Sequence, residues 1–181
     1  EHVTPEGLVV AGRVHPAQSI VLATGFDAMT GTLLRMDIAT SAGFTLKAKW
    51  QDGPVCYLGL AMAGLPNLFI ITGPGSPSVL ANVVVCIEQH VDWITDCMVH
   101  MRDHGYTEVE PTVEAQEAWV EHVNQIAAPT MMTAPSCNSW YLGANIPGKP
   151  RVFMPYVGGL NRYIEETDAV VADGYRGFVF A

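Results

Sequence analysis

Positive charge is what this sequence has least of. Nine lysines and arginines face eighteen aspartates and glutamates, a net charge of −9. That balance repels phosphate backbones and anionic headgroups at long range, so nucleic acid and membrane surfaces are not expected partners. Charge of either sign is sparse, at 15 % of residues against 49 % apolar; so apolar a chain is not disordered, and it exposes apolar surface, open to self-association, when it stands alone. Cysteine is limited to Cys56, Cys86, Cys97 and Cys137, without the close pairs of a zinc site, so reduced thiols of a cytoplasmic protein are expected. Residues 1–7 hold acids and a proline where an export signal needs a basic start and an apolar run. The stretch 55–72 carries no charge and approaches the length of a bilayer span, but Gly59, Gly64, Pro66 and Asn67 divide it. That suits two buried strands joined by a turn, not a membrane helix. A Gly-x-Ser-x-Gly elbow is also missing, and with it support for a serine hydrolase.

The 181 residues suffice for one domain with a core. Short apolar runs at 8–11, 19–23, 55–60 and 68–72 read as strands. They lack polar alternation, so both faces must be covered, which predicts an α/β fold with a parallel sheet between helices. After the turn Gly73-Pro74-Gly75-Ser76-Pro77-Ser78, the pattern predicts a helix over about 79–104, stopped by Gly105. Its first half is apolar all round (Val83, Val84, Val85, Cys86, Ile87), which predicts a buried N-terminal end. A second helix begins after Thr112, with Glu114 near its positive end and Trp119, Val123 and Ile126 on one face. Residues 128–150 read as loop, and a last helix over about 160–173 buries Tyr163, Thr167 and Val170 and ends at Gly174.

Several constellations could carry chemistry. Gly73-x-Gly75 lies between a strand and a helix, where a backbone can approach an anionic ligand. Ser78 stands where a dinucleotide fingerprint has its third glycine, and a plain tight turn with Ser76 as N-cap and Pro77 in the first helical turn remains an equal reading. Ala23-Thr24-Gly25-Phe26-Asp27 ends the 19–23 run abruptly, as either an ordinary turn or a functional one. His100 and His104 have metal-sharing spacing, but Met101-Arg102-Asp103 between them lacks a metalloprotease glutamate, and no metal is expected. His90 has no partner at ligand spacing and reads as a structural hydrogen-bonding residue.

Read in order, Val21-Leu22-Ala23-Thr24-Gly25-Phe26-Asp27-Ala28, Tyr57-Leu58-Gly59, Phe69 with Gly73-Pro74-Gly75-Ser76-Pro77, Ile87-Glu88-Gln89-His90-Val91, Ser139-Trp140-Tyr141, Gly143-Ala144-Asn145-Ile146-Pro147-Gly148-Lys149 and Tyr175-Arg176-Gly177-Phe178 form a specific series. It resembles the C-terminal portion of the Baeyer-Villiger flavin monooxygenases, in particular the branch acting on aryl ketones, large cyclic ketones and steroids, as in phenylacetone- and steroid-type enzymes. The resemblance covers nearly the whole chain, and the Trp-containing stretch 139–149 is its most specific part.

The resemblance implies an α/β fold that is the C-terminal part of a two-dinucleotide-domain flavoprotein, incomplete as given. Residues 1–24 would hold the last strands of the NADPH domain and the hinge; 25–181 would be the C-terminal segment of the FAD domain, with a cofactor-covering loop at about 128–150. The implied cofactors are FAD and NADP, the implied reaction conversion of a ketone and oxygen to an ester or lactone through a peroxyflavin. Ala23, Thr24, Gly25 and Asp27 match the family's hinge, Asn82 and Val83 its flavin-facing backbone, Val79, Leu80 and Ala81 the bulge beside the substrate, and Trp140 the tryptophan that folds over the nicotinamide. No catalytic residue is implied within this chain: the first FAD half-site, the NADPH fingerprint and the active-site arginine precede the matched segment, so the missing N-terminal half is an implied partner and the chain alone is expected to be inactive. A flavin enzyme oxidising sulfur or nitrogen and a noncatalytic fragment or interaction subunit stand as alternatives.

Overall fold

A computed structural model describes residues 2–23, 25–136 and 138–181; Glu1, Thr24, Cys137 and the side chain of Val79 lie outside the description. Among the described residues the fold is mixed α/β, but the sheets are small and antiparallel. Strands β1 (His2–Thr4), β2 (Gly7–Val10) and β3 (Arg13–Pro16) form a meander in the order β1-β2-β3. Ala11 and Gly12 turn the chain between β2 and β3 with positive φ at both (48° and 75°), which matches the right-handed twist of the strands. Strand β4 (Val109–Pro111) pairs with β5 (Phe178–Phe180), Val109 opposite Phe180.

The expected parallel sheet is therefore overturned. The 8–11 run overlaps β2, whereas 19–23 has no regular structure and is exposed, with Val21 and Leu22 at 86 % and 80 %. The run 55–60 is buried coil and 68–72 partly buried coil with Ile71 exposed, held by isolated bridges, Tyr57 to Ala61 and Ala61 to Phe69. The cause is local: Leu58, Gly59, Gly64, Asn67 and Thr72 all have positive φ, which no extended strand accommodates. The run 55–60 is continuously apolar because the protein's own core covers it, whereas 68–72 is covered only in part.

The helices follow expectation more closely. Helices α1 (Gly31–Arg35) and α2 (Leu46–Lys49) are short; α3 (Val83–His104), α4 (Val113–Ala127) and α5 (Leu160–Ala172) build the frame. Gly105 caps α3 in the left-handed conformation, and the Thr112 hydroxyl accepts from Ala115 N at the start of α4. Cys86, His90, Trp93 and Cys97 form the buried stripe of α3, Trp119 and Val123 that of α4, and Tyr163, Thr167 and Val170 that of α5. Trp93 donates its indole N–H to Thr167 O (3.3 Å), fastening α3 to α5. Contrary to expectation, the rest of the first half of α3 is exposed, Val84 at 62 %: a stripe one residue wide per turn meets the core, and the other apolar side chains face outward.

His90 is the structural residue expected. Its Nδ1 accepts from Thr72 N (2.9 Å), so the proton sits on Nε2, which donates to the Tyr163 hydroxyl (2.9 Å); that hydroxyl donates to Leu58 O (2.6 Å). The network ties α3, α5 and both buried runs together. Burial pushes the imidazole pKa down to about 4.

Two outcomes follow. Below about pH 6.5 the unfolded chain binds a proton at His90 that the folded chain refuses, so stability is complete above that pH and declines toward pH 4 by on the order of 3 kcal/mol; urea unfolding across this range should show the decline, and His90→Gln should flatten it. Gly75 has φ +90°, and a Cβ there would lie 2.9 Å from the Trp119 indole nitrogen, so Gly75→Ala should lower unfolding stability by roughly 2–4 kcal/mol through left-handed strain and overpacking.

Candidate functional site

Residues 73–78 do not form a ligand cradle. Gly75 N donates to Met154 O (2.7 Å), Trp119 Nε1 to Gly75 O (3.0 Å) and Gly73 N to Gly59 O (3.2 Å). A Cβ at Gly73 would stand 2.6 Å from Gly59 O. The glycines admit the protein's own backbone, not a phosphate. Ser76 is not a helix N-cap either: its hydroxyl closes the turn on Gly73 O (2.8 Å), and the N-cap of α3 is Asn82, whose Oδ1 accepts from Val84 N (3.1 Å).

The chain instead passes through a 3-10 turn, Ser78–Leu80, before α3 begins. The first turn of α3 carries no acidic side chain, so the partial positive charge of a 22-residue helix is left uncancelled at its mouth. Val83, at 38 % exposure, opens into a cavity of about 560 Å³. Ala28, Met29, Phe69, Ser78 and Trp140 share its lining. Met29 and Ser78 both have positive φ (67° and 45°), and the Ser78 hydroxyl donates to Met29 Sδ (3.3 Å) across the wall. Both conformations cost energy and persist only where the surroundings enforce them.

Trp140 begins the 3-10 turn Trp140–Leu142, which the Ser139 hydroxyl caps by accepting from Tyr141 N (3.2 Å). Its ring stands edge-on to Tyr141, centroids 4.4 Å apart. As expected, the described residues of 128–150 are otherwise loop, apart from a second 3-10 turn at Met131–Thr133. Bonds from Met154 N to Tyr141 O and Val152 N to Leu142 O (2.9 and 3.1 Å) lay it back on the following segment.

The structure thus brings Val83 and Trp140 to one cavity. Asn82 is the exposed cap behind Val83; Leu80 and Ala81 are half-buried beside the cavity without lining it. Val79 contributes its backbone to the 3-10 turn, and its side chain is outside the described residues. Of the hinge residues, Ala23 and Gly25 are exposed, Thr24 lies outside the described residues, and Asp27 is half-buried in an ion pair with Lys149. The lining by Met29, Phe69 and Ser78 had not been assigned from sequence; the adjacency of Ala28 and Met29 to the Ala-Thr-Gly turn was the available signal.

A second cavity of about 570 Å³ lies between α4 and α5, where His122 Nε2 stands 3.3 Å from Glu166 Oε1. It contains none of the residues assigned above. His104 Nδ1 is bonded to His100 O (2.8 Å), and among the described residues no group of three or more potential metal ligands converges. No helix of the described residues is long and apolar enough to cross a membrane.

No family model matches the chain, but individual proteins do. The acetone monooxygenase (methyl acetate-forming) of Gordonia sp. (strain TY-5) is 41 % identical over 94 % of this chain and 32 % of its own length. The Baeyer-Villiger monooxygenase of Pseudooceanicola batsensis is 39 % identical over 97 % of this chain and 32 % of its own. The phenazine N-monooxygenase PhzNO1 of Lysobacter antibioticus is 35 % identical over 99 % and 32 %. Among solved structures, an oxidized steroid monooxygenase bound to NADP superimposes with a TM-score of 0.85 at 46 % identity, over 98 % of this chain and 33 % of that one. OTEMO in complex with FAD and NADP does so with a TM-score of 0.86 at 35 % identity, over 99 % and 32 %. The chain spans about a third of the length of the curated relatives it matches. By sequence and by fold, this chain is a homologue of the Baeyer-Villiger monooxygenases over about one third of their length.

Proposed function

We propose that this chain is the flavin- and nicotinamide-facing C-terminal part of an FAD- and NADPH-dependent Baeyer-Villiger monooxygenase that converts ketones to esters or lactones. The cavity shared by Val83 and Trp140 carries this reading, because the residues that the family resemblance assigns to the flavin and to the nicotinamide, 57 positions apart in sequence, meet there. The 46 % identity to a steroid monooxygenase supports a bulky cyclic or aryl ketone as substrate. Residues 1–24 are read as the end of the NADPH domain with the hinge, and 25–181 as the FAD-domain segment. The exposed apolar side chains Val21, Leu22 and Val84 are read as contacts with the remainder of the enzyme, and as the source of self-association when that remainder is absent. The buried free thiols Cys56, Cys86 and Cys97 support a cytoplasmic setting.

The residues present suit such cofactors. The acid-free mouth of α3 favours electron-rich atoms in front of it. When bound, the flavin and NADPH supply the oxygen activation and the reducing equivalents. Val83 offers a stiff, β-branched apolar surface for an aromatic ring to rest on. The apolar lining excludes water from the reacting atoms, and Val79, Leu80 and Ala81, at the turn before α3, are read as the bulge beside the ketone. Trp140 offers a broad ring to cover the nicotinamide and an indole N–H to donate to a ribose oxygen.

Nitrogen oxidation is the second reading, favoured by the phenazine N-monooxygenase relative. Product analysis separates the two: the full-length protein supplied with FAD, NADPH, oxygen and a cyclic ketone should yield the lactone, whereas an N-oxide or sulfoxide from amine or sulfide, with ketone untouched, would transfer the assignment. Absence of any NADPH-dependent oxidation would favour a noncatalytic role.

In the same full-length protein, Trp140→Ala should raise the NADPH KM about two- to tenfold, the loss of roughly 0.5–1.5 kcal/mol of hydrogen bonding together with ring packing. Steady-state kinetics and peroxide assays should also find more NADPH wasted as hydrogen peroxide, with flavin content unchanged.

A further inference from the structure

Lys149 and Asp27 form an ion pair that the reaction as described does not use. It joins segments 122 residues apart in sequence, with side chains only 11 % and 28 % exposed. The pairs Lys47–Asp37, Arg102–Asp103 and Arg176–Asp173 are more than half exposed at both ends, where solvent and salt screen such contacts to little effect. A glycine makes room for the carboxylate: a Cβ at Gly31 would lie 2.4 Å from the Asp27 carboxyl carbon. Asn145 supplies a second tie, donating from Nδ2 to Phe26 O (3.4 Å).

The two tied segments are the two on which the proposed function depends. Lys149 and Asn145 belong to the loop that carries Trp140; Phe26 and Asp27 run directly into Ala28 and Met29, which line the cavity with Trp140. Lifting the loop must break both ties, and rotating the hinge segment must pull on the loop. We propose that Asp27 and Lys149 are positioning residues, a latch whose ion pair makes closure of the Trp140 loop over the nicotinamide and setting of the hinge a single event. The inference rests on the functional reading given above for that loop and hinge. Neutralising one partner leaves the other charge uncompensated in a largely desolvated place, so the closed arrangement loses its advantage over the open one. If both are neutralised, the penalty of the orphaned charge disappears.

The test uses the full-length protein with FAD and NADP bound, as wild type, Asp27→Asn, Lys149→Met, the double variant and Lys149→Arg. Hydrogen–deuterium exchange of amides 138–149 should accelerate about three- to tenfold in each single variant. It should rise no further in the double variant and stay near wild type in Lys149→Arg. The NADPH KM and the fraction of NADPH lost as peroxide should follow the same order. Multiplying effects in the double variant, or unchanged exchange in the single variants, would overturn the latch. So would exchange rising equally across α4 and α5, which would assign the pair to the general scaffold. The two proposals fail separately: a wild type that oxidises no ketone but keeps the exchange pattern retains the latch and loses the reaction, and a coupled ketone oxidation indifferent to both substitutions does the reverse.

Discussion

A neutral imidazole, buried where α3 meets α5, fixes the direction in which α3 points. His90 takes the Thr72 amide on Nδ1 and gives its Nε2 proton to Tyr163, whose hydroxyl reaches Leu58 O. Leu58 and Thr72 both sit at positive φ (56° and 55°), a conformation that costs non-glycine residues energy and persists only where surroundings enforce it. The network is that enforcement. It coils 55–72, buried over 56–63, in place of strands, and on that coil rest the Gly73–Ser78 turn and the start of α3.

From this constraint the site follows. With α3 held along its buried stripe, its first turn faces outward with no acid to neutralise it, and Trp119 pins the Gly75 carbonyl beneath. The loop after α4 returns across the same region through Tyr141, Leu142 and the residues that receive them, which brings Trp140 to the cavity that Val83 lines. Ala28 and Met29, just after the Ala-Thr-Gly turn, also line the cavity. Rigid parts thus set one wall, and a tied but irregular loop sets the other, an arrangement suited to a covering element that opens and closes.

The sequence made the helices legible because each carries its own punctuation: Thr112 and Gly105 as caps, and apolar spacing on α4 and α5 that matched the buried residues. It was misleading for strands. Continuous apolar runs at 55–60 and 68–72 are equally consistent with a covered sheet and with a buried coil, and only positive φ at Leu58, Asn67 and Thr72 separates them. The apolar first half of α3 predicts burial, yet Val83, Val84, Val85 and Ile87 are exposed, because apolar composition does not encode which surface covers a helix. The family resemblance assigns Trp140 and Val83, which the fold brings to one cavity, whereas the placement of Met29, Ser78 and the Asp27–Lys149 pair depends on long-range contacts that no local spacing encodes.

The central claim is that the space between Val83 and Trp140 receives the flavin and the nicotinamide. A crystal structure of the full-length protein with FAD and NADP tests it most directly. The account predicts the flavin's pyrimidine edge against the first turn of α3 and the Trp140 indole over the nicotinamide ribose. Finding the mouth of α3 covered by protein, with both cofactors bound away from Val83 and Trp140, would contradict it.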